Sequence, residues 1–199
     1  MPPRLPVGSE PSIPAMAEID PPALRSVLRL FATGVAVVTT WDGDTARGTT
    51  INSFASLSLR PPLVMVALDR GRRIVAPLAK SRRYAVNILG EDCRELSDCF
   101  ASGPSPVRES EAEAAEEVEM CGVSWHPGSA GLPILDDAIA SLECTIEEIH
   151  PAGDHDMYIG RVVAAHAGDE QSLPLLYYAS RYLRIEHASM LDIEGKPEH

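Results

Sequence analysis

Two periodicities organise the apolar positions of this chain. Behind Asp20-Pro21-Pro22, a capping side chain followed by residues of preset φ, Leu24, Val27, Leu28 and Phe31 recur at helical spacing. This pattern predicts a helix with one face on a core, ended by Gly34. From Val35 to Thr40 the residues turn β-branched, and Asp42-Gly43 is a hairpin signal that sends the chain back along Arg47 to Ser53. Arg60-Pro61-Pro62 breaks the chain before the buried-strand run Leu63 to Leu68. A short helix over Ile74 to Lys80 leads into the strand Tyr84 to Leu89, and Cys93 to Ala101 sets Leu96, Cys99 and Phe100 on one helical face. Leu142 to Ile149 and Met157 to Ala165 read as strands around a turn at Pro151-Ala152-Gly153-Asp154, with two short strands, Leu175 to Tyr178 and Tyr182 to Glu186, closing the domain.

Six or more strands with few, short helices predict a mainly β domain, an antiparallel barrel or sandwich. Regular β-helix-β alternation and any GxGxxG are missing, which argues against a Rossmann domain. The predicted organisation is a flexible, proline-rich leader over 1–22, one domain over 23–187 and a polar tail over 188–199. Glu109 to Glu119, with six glutamates and three alanines, reads as solvated surface, helical or disordered.

Charge narrows the partners. Twenty-nine acids against 17 bases leave a net charge of −12, which disfavours a nucleic acid, whose phosphates call for clustered Lys and Arg. No stretch reaches the roughly 18–20 continuous apolar residues of a membrane span, and the leader lacks the apolar core of a secretory signal. The expectation is a cytoplasmic protein. Cys93, Cys99, Cys121 and Cys144 form no CxxC pair and no zinc-finger spacing with His, so free, structural thiols are expected and no metal.

The densest chemistry lies between Gly48 and Val64: Gly48-Thr49-Thr50-Ile51-Asn52-Ser53-Phe54-Ala55-Ser56, then Leu57 to Pro62. Short hydroxyl and amide side chains beside a glycine suit a flat, hydrogen-bonding ligand that the backbone can approach closely. The same residues serve equally well as turns and ladder caps.

This segment resembles the flavin-binding signature of the flavin reductase family, small reductases that feed two-component flavin-dependent monooxygenases. Four more matches follow the family's order: Gly34-Val35-Ala36-Val37-Val38-Thr39-Thr40, Tyr84-Ala85-Val86-Asn87-Ile88-Leu89, Gly153-Asp154-His155 and Pro174-Leu175-Leu176-Tyr177-Tyr178. Together they span about Leu24 to Ile185. The resemblance implies an FMN-binding split β-barrel, a homodimer with flavin sites near the subunit interface, and reduction of free FMN or FAD for a partner monooxygenase. NADH is the implied donor over NADPH, since no basic pocket for a 2′-phosphate is evident. A flavin carrier or sensor on the same barrel is the alternative, and Gly153-Asp154-His155 favours the enzyme.

Carried over by resemblance, the flavin contacts are Arg47, Gly48, Thr49, Thr50, Asn52 and Ser53, then Ala67, Leu68 and Asp69, with Arg72 and Arg73 toward the phosphate. Here the chain departs from the family, which carries Ser or Thr where this sequence reads Asp69-Arg70-Gly71-Arg72-Arg73. Guanidinium groups remain good phosphate donors. By the same resemblance, His155 positions the nicotinamide, and Tyr177, Tyr178 and Tyr182 offer aromatic faces to the dinucleotide. Ala179-Ser180-Arg181 replaces the Arg-Gly of many relatives.

Overall fold

The computed structural model describes residues 19–102, 120–168 and 171–185. The acidic run Glu109 to Glu119, the tail after His187 and most of the leader lie outside the described residues. Helix α1 (Pro21–Leu28) is followed by β1 (Thr33–Gly34), β2 (Ala36–Asp42), β3 (Thr45–Ile51), β4 (Ala55–Leu59) and β5 (Pro62–Asp69). Then come α2 (Val75–Ser81), β6 (Arg83–Leu89), α3 (Arg94–Ser102), β7 (Trp125–Pro127) and β8 (Pro133–Leu135). The long strands β9 (Ala138–Ala152) and β10 (His155–Ala167) precede β11 (Leu176–Tyr178) and β12 (Arg181–Leu183). The domain is mainly β, as the pattern predicts.

Seven strands pair antiparallel in the order β3-β2-β6-β9-β10-β5-β4. The two edge strands, β3 and β4, are neighbours in sequence, joined only by Asn52, Ser53 and Phe54. Laid flat, six strand spacings would set those edges about 29 Å apart. A three-residue link reaches about 14 Å at most. The sheet must therefore curl until its edges face each other across Asn52–Phe54. It does not close, because β3 and β4 share no ladder. The result is a barrel split along one seam, and the seam lies in the densest polar motif of the sequence.

Strand alternation divides the core. On β2, Ala36 and Val38 point inward with Val66, Leu78, Tyr84, Val86 and Tyr158, while Val37, with Val35 just before the strand, packs outward with Leu89, Phe100, Leu135 and Leu175. The first five residues of β2, Ala36 to Thr40, are buried on both faces. Each fully buried Val or Leu contributes about 1.5–3 kcal/mol. The outer layer is covered by α3 and by the small β7-β8 and β1-β11-β12 sheets.

Among the described residues one carboxylate sits inside. Glu143 is fully buried and accepts from the Ala130 and Leu132 backbone N–H groups at 2.9 Å each, from Ser129 Oγ at 3.3 Å, and pairs with His166 Nε2 at 2.9 Å. Burial pulls its carboxyl upward, but the two backbone donors and His166 together outweigh that and hold it below the usual carboxylate range. Its donors fix the turn over residues 128–132, to which Trp41 Nε1 also donates at Gly131 O, 2.8 Å.

Three expectations need correction. Helix α1 ends at Leu28, not at Gly34, which lies in β1. Nor does α1 pack on the core: none of its residues is buried, and Val27, Leu28 and Phe31 are 60–76% exposed. Its apolar stripe is left uncovered among the described residues. Finally, Cys99 and Cys121 are not free thiols but form a disulfide that ties α3 to the turn before β7, whereas Cys93 and Cys144 are free. Spacing alone cannot reveal a pair 22 residues apart whose partners meet only after α3 has docked.

Candidate functional site

The seam is held by Ser53. Its hydroxyl donates to Ala67 O at 2.6 Å and accepts from Ala67 N at 3.3 Å, pinning the β3–β4 link onto β5. Asn52, next to it, is exposed and lines two adjoining cavities of about 570 and 210 Å³. Phe31 also lines both; Tyr177 joins the larger, and Thr33 and Phe54 the smaller. The Thr33 hydroxyl oxygen is buried and has no hydrogen-bond partner among the described residues. Apolar walls with a few convergent polar groups, at this volume, suit a small-molecule site.

Beyond the seam, β5 and β10 end side by side, with Asp69 paired to His155. Gly153 and Asp154 make the two-residue turn between β9 and β10, and Gly153 takes φ +63°, a conformation open to glycine at little cost. Arg70 straps this turn to β5: its backbone N donates to Asp154 O at 3.2 Å, its Nε to Asp156 Oδ1 at 2.8 Å and its terminal nitrogen to His155 O at 3.2 Å. The imidazole itself is half-buried and shares a 2.7 Å hydrogen bond between Nδ1 and Asp154 Oδ1. That bond holds the Asp154 carboxyl below its ordinary value. With Nδ1–H donated to a carboxylate, a neutral ring presents Nε2 as an acceptor.

The remaining residues singled out in the sequence divide by what their side chains already touch. Thr50 Oγ1 donates to Ser97 O in α3 at 2.7 Å, and the space a Cβ would need at Gly48 is filled by the Phe100 ring, 2.5 Å away. Gly48 thus admits α3, a reason for glycine different from close approach to a ligand. Thr49 and Leu68 are buried in the barrel wall, and Arg47 pairs with Asp42 at 3.4 Å. Asp69 Oδ1 accepts from Gly71 N at 2.6 Å, closing the turn after β5. Of the two phosphate-side arginines, Arg72 donates to Ala101 O at 2.8 Å, while Arg73 is exposed and makes no hydrogen bond or ion pair among the described residues. Tyr177 and Tyr182 pack edge to face, ring centres 5.4 Å apart, and Tyr178 is exposed.

The structure thus gathers Asn52, Ser53, Ala67, Asp69 and His155 along one rim, brings Tyr177 to the same cleft as Asn52, and sets Gly48, Thr50, Arg72 and Tyr182 around α3. The reading from sequence missed Thr33, Phe31 and all of α3's polar contacts. Thr33 carried no signal of its own, since its burial depends on β11 pairing from more than 140 residues away. A cavity of about 650 Å³ lies elsewhere: Glu91, Asp92, Glu95 and Asp137 line it with Cys93, and no residue of the rim reaches it. Among the described residues no group of His, Cys, Asp and Glu could hold a metal, and no helix is long and apolar enough to cross a membrane.

A split barrel with polar side chains gathered at its seam is the architecture of the small flavin-using reductases, and comparison with known proteins agrees. The chain belongs to the flavin reductase like domain family, whose model matches residues 28–186. It is 34% identical over 171 residues to HsaB, the reductase subunit of a flavin-dependent monooxygenase of Mycobacterium tuberculosis, covering 85% of each chain. It is 36% identical over 162 residues to the NADH-dependent FMN reductase AsuE2 of Streptomyces nodosus subsp. asukaensis, covering 81% of this chain and 83% of that one. Among solved structures, the Streptomyces globisporus NADH:FAD oxidoreductase SgcE6, in complex with NAD and FAD fragments, superposes with a TM-score of 0.73 at 30% identity, over 88% of this chain and all of the other.

Proposed function

We propose that the protein uses NADH to reduce free FMN or FAD and releases the reduced flavin to a separate flavin-dependent monooxygenase. The observation that carries this reading is the cleft at the barrel seam, where Asn52 and Tyr177 share one cavity and the buried Thr33 hydroxyl has no hydrogen-bond partner among the described residues. A flavin ring has an apolar edge and an edge of carbonyl and N–H groups. Phe31 and Phe54 match the first, and Asn52 and Thr33 the second. Arg73 is the guanidinium left for the phosphate, because Arg72 is held by the end of α3 and Arg70 by the His155 turn. The relatives' names divide between FMN and FAD and do not choose for this chain.

When both substrates are bound, a hydride passes from nicotinamide C4 to flavin N5, which calls for no protein nucleophile. The chain's own work is orientation. Asp154 sets the tautomer of His155, so that Nε2 accepts from the amide N–H of the nicotinamide carboxamide. Arg70 keeps that imidazole at the end of β5, and Ser53 keeps the flavin-side link against the same strand. Tyr177 gives the cleft an aromatic wall that excludes water.

The test is direct. Mixing the protein with NADH and FMN or FAD is expected to consume absorbance at 340 nm catalytically, and flavin that stays oxidised with both nucleotides overturns the reading.

The functional unit is a homodimer. Leu24, Val27 and Leu28 of α1, with Leu30 and Phe31, form an exposed apolar patch bordering the substrate cleft, and a second copy is its expected cover. Light scattering is expected to return twice the 21.4 kDa of one chain. A fully active species of 21.4 kDa sinks the dimer while leaving the reductase standing.

A further inference from the structure

One turn of α3, Ser97 to Ala101, touches both β3, the strand that leads into Asn52, and Tyr182, the ring packed on Tyr177, although no residue of it belongs to a motif. Ser97 is fully buried. Its main-chain oxygen accepts from Thr50 Oγ1 at 2.7 Å, on the flavin-side strand β3. Its hydroxyl lies 2.9 Å from Tyr182 Oη, which itself donates to Asp98 Oδ1 at 2.8 Å. A phenol has one proton, and here the carboxylate takes it. Ser97 must therefore be the donor to Tyr182, giving a directed chain from Ser97 through Tyr182 to Asp98. Burial, and then the Asp98 carboxylate, raise the Tyr182 phenol above its ordinary value, so it keeps the proton it donates.

Tyr182 is gripped from other sides as well. The Arg94 guanidinium stands 5.7 Å from its ring centre, and Tyr177 meets its edge. Through Tyr177 the arrangement reaches the cavity that Asn52 also lines. On the other side α3 is seated flush on β3, with Phe100 in the space above Gly48. One helical turn thus fixes the flavin strand and the tyrosine sheet relative to each other.

We propose that Ser97 is a positioning residue for hydride transfer, setting Tyr182, and through it Tyr177, against the flavin-side strand. This rests on the reductase reading above. The two functions of Ser97 are separable because they use different atoms. Removing the hydroxyl leaves the main-chain oxygen with Thr50, so the flavin side stays in place while the tyrosine side loosens. A structural serine would show no such division.

The experiment measures four proteins, the wild type, Ser97→Ala, Tyr182→Phe and the double variant, each by three readouts: flavin titration, NAD⁺ titration and single-turnover reduction of flavin by NADH. Ser97→Ala is expected to slow flavin reduction about tenfold and to weaken NAD⁺ binding severalfold, with flavin affinity within about twofold of wild type. Tyr182→Phe keeps the ring and loses the phenol; it is expected to match Ser97→Ala, and the double variant to be no slower than either, since both cut the same chain. Ser97→Thr, which restores a hydroxyl, is expected to recover most of the rate. An unchanged rate in Ser97→Ala overturns the proposal, as does a parallel loss of flavin and NAD⁺ affinity with a lowered melting temperature. Fully multiplicative losses in the double variant overturn it too. A wild-type protein that binds flavin but leaves it oxidised overturns the reductase reading itself, and this role with it.

Discussion

His155→Ala is expected to slow hydride transfer from NADH about a hundredfold, while flavin affinity stays within about twofold of wild type. The size follows from geometry: the donor carbon and acceptor nitrogen must approach to about 3–3.5 Å, and a misplacement of about 1 Å costs on the order of a hundredfold. In this fold the imidazole has little freedom. Its Nδ1 is tied to Asp154, and its backbone is strapped to β5 by Arg70, leaving Nε2 as the outward nitrogen. The side chain makes no other hydrogen bond among the described residues, so its removal leaves the core untouched and the stability within about 0.5 kcal/mol. Stopped-flow reduction and flavin titration on the same variant check both halves. A reduction rate equal to wild type removes His155 from the site.

Cutting the Cys99–Cys121 bond is expected to have the largest effect on stability. A cross-link over 22 residues removes loop-closure entropy from the unfolded chain worth about 3 kcal/mol. For a domain of this size that corresponds to a fall in melting temperature of about 6–12 °C. Calorimetry with and without a dithiol such as dithiothreitol measures it, and Cys121→Ser reports the same loss without reductant. Addition of the dithiol to Cys121→Ser is expected to change nothing further. A wild-type protein that melts at one temperature in both buffers shows that the bond carries no such load.

Much of the barrel was legible because its strands declare themselves locally. Val35 to Thr40, Leu63 to Leu68 and Tyr84 to Leu89 are β-branched or apolar runs; the Asp42-Gly43 signal falls one residue short of the actual turn Gly43-Asp44, Gly153-Asp154 is the turn foreseen, and both glycines take positive φ. Strand β4 was not legible: it alternates Ser with Leu, but Leu57 and Leu59 point to solvent along a sheet edge, so the pattern carries no core face. The two residues of β1 are a strand only because Tyr177 and Leu176 lie beside them. The helical stripe of α1 was visible, yet periodicity says that a face is apolar, not what covers it.

The site divides the same way. Asn52, Ser53 and His155 stood out because small polar residues between strands, and a Gly-Asp-His turn, are local signals. What their neighbours do was hidden. Gly48 answers to Phe100 and Thr50 to Ser97, contacts that span 52 and 47 residues of chain. Arg72 looked equivalent to Arg73 until the end of α3 claimed it. Local chemistry marked the rim, and only the docking of α3 showed which side chains were already spent.

The open seam between β3 and β4 bears on traffic as well as on shape. A reductase that hands its product to another protein must admit one oxidised flavin and let go one reduced flavin in every cycle. Had the barrel closed, each passage through this wall would break ladder hydrogen bonds, and exchange would wait on local unfolding. With no ladder between β3 and β4, moving the link Asn52–Phe54 asks for release of the two Ser53–Ala67 hydrogen bonds and leaves the seven-stranded ladder intact. Passage through the seam is then a loop motion rather than the opening of a sheet.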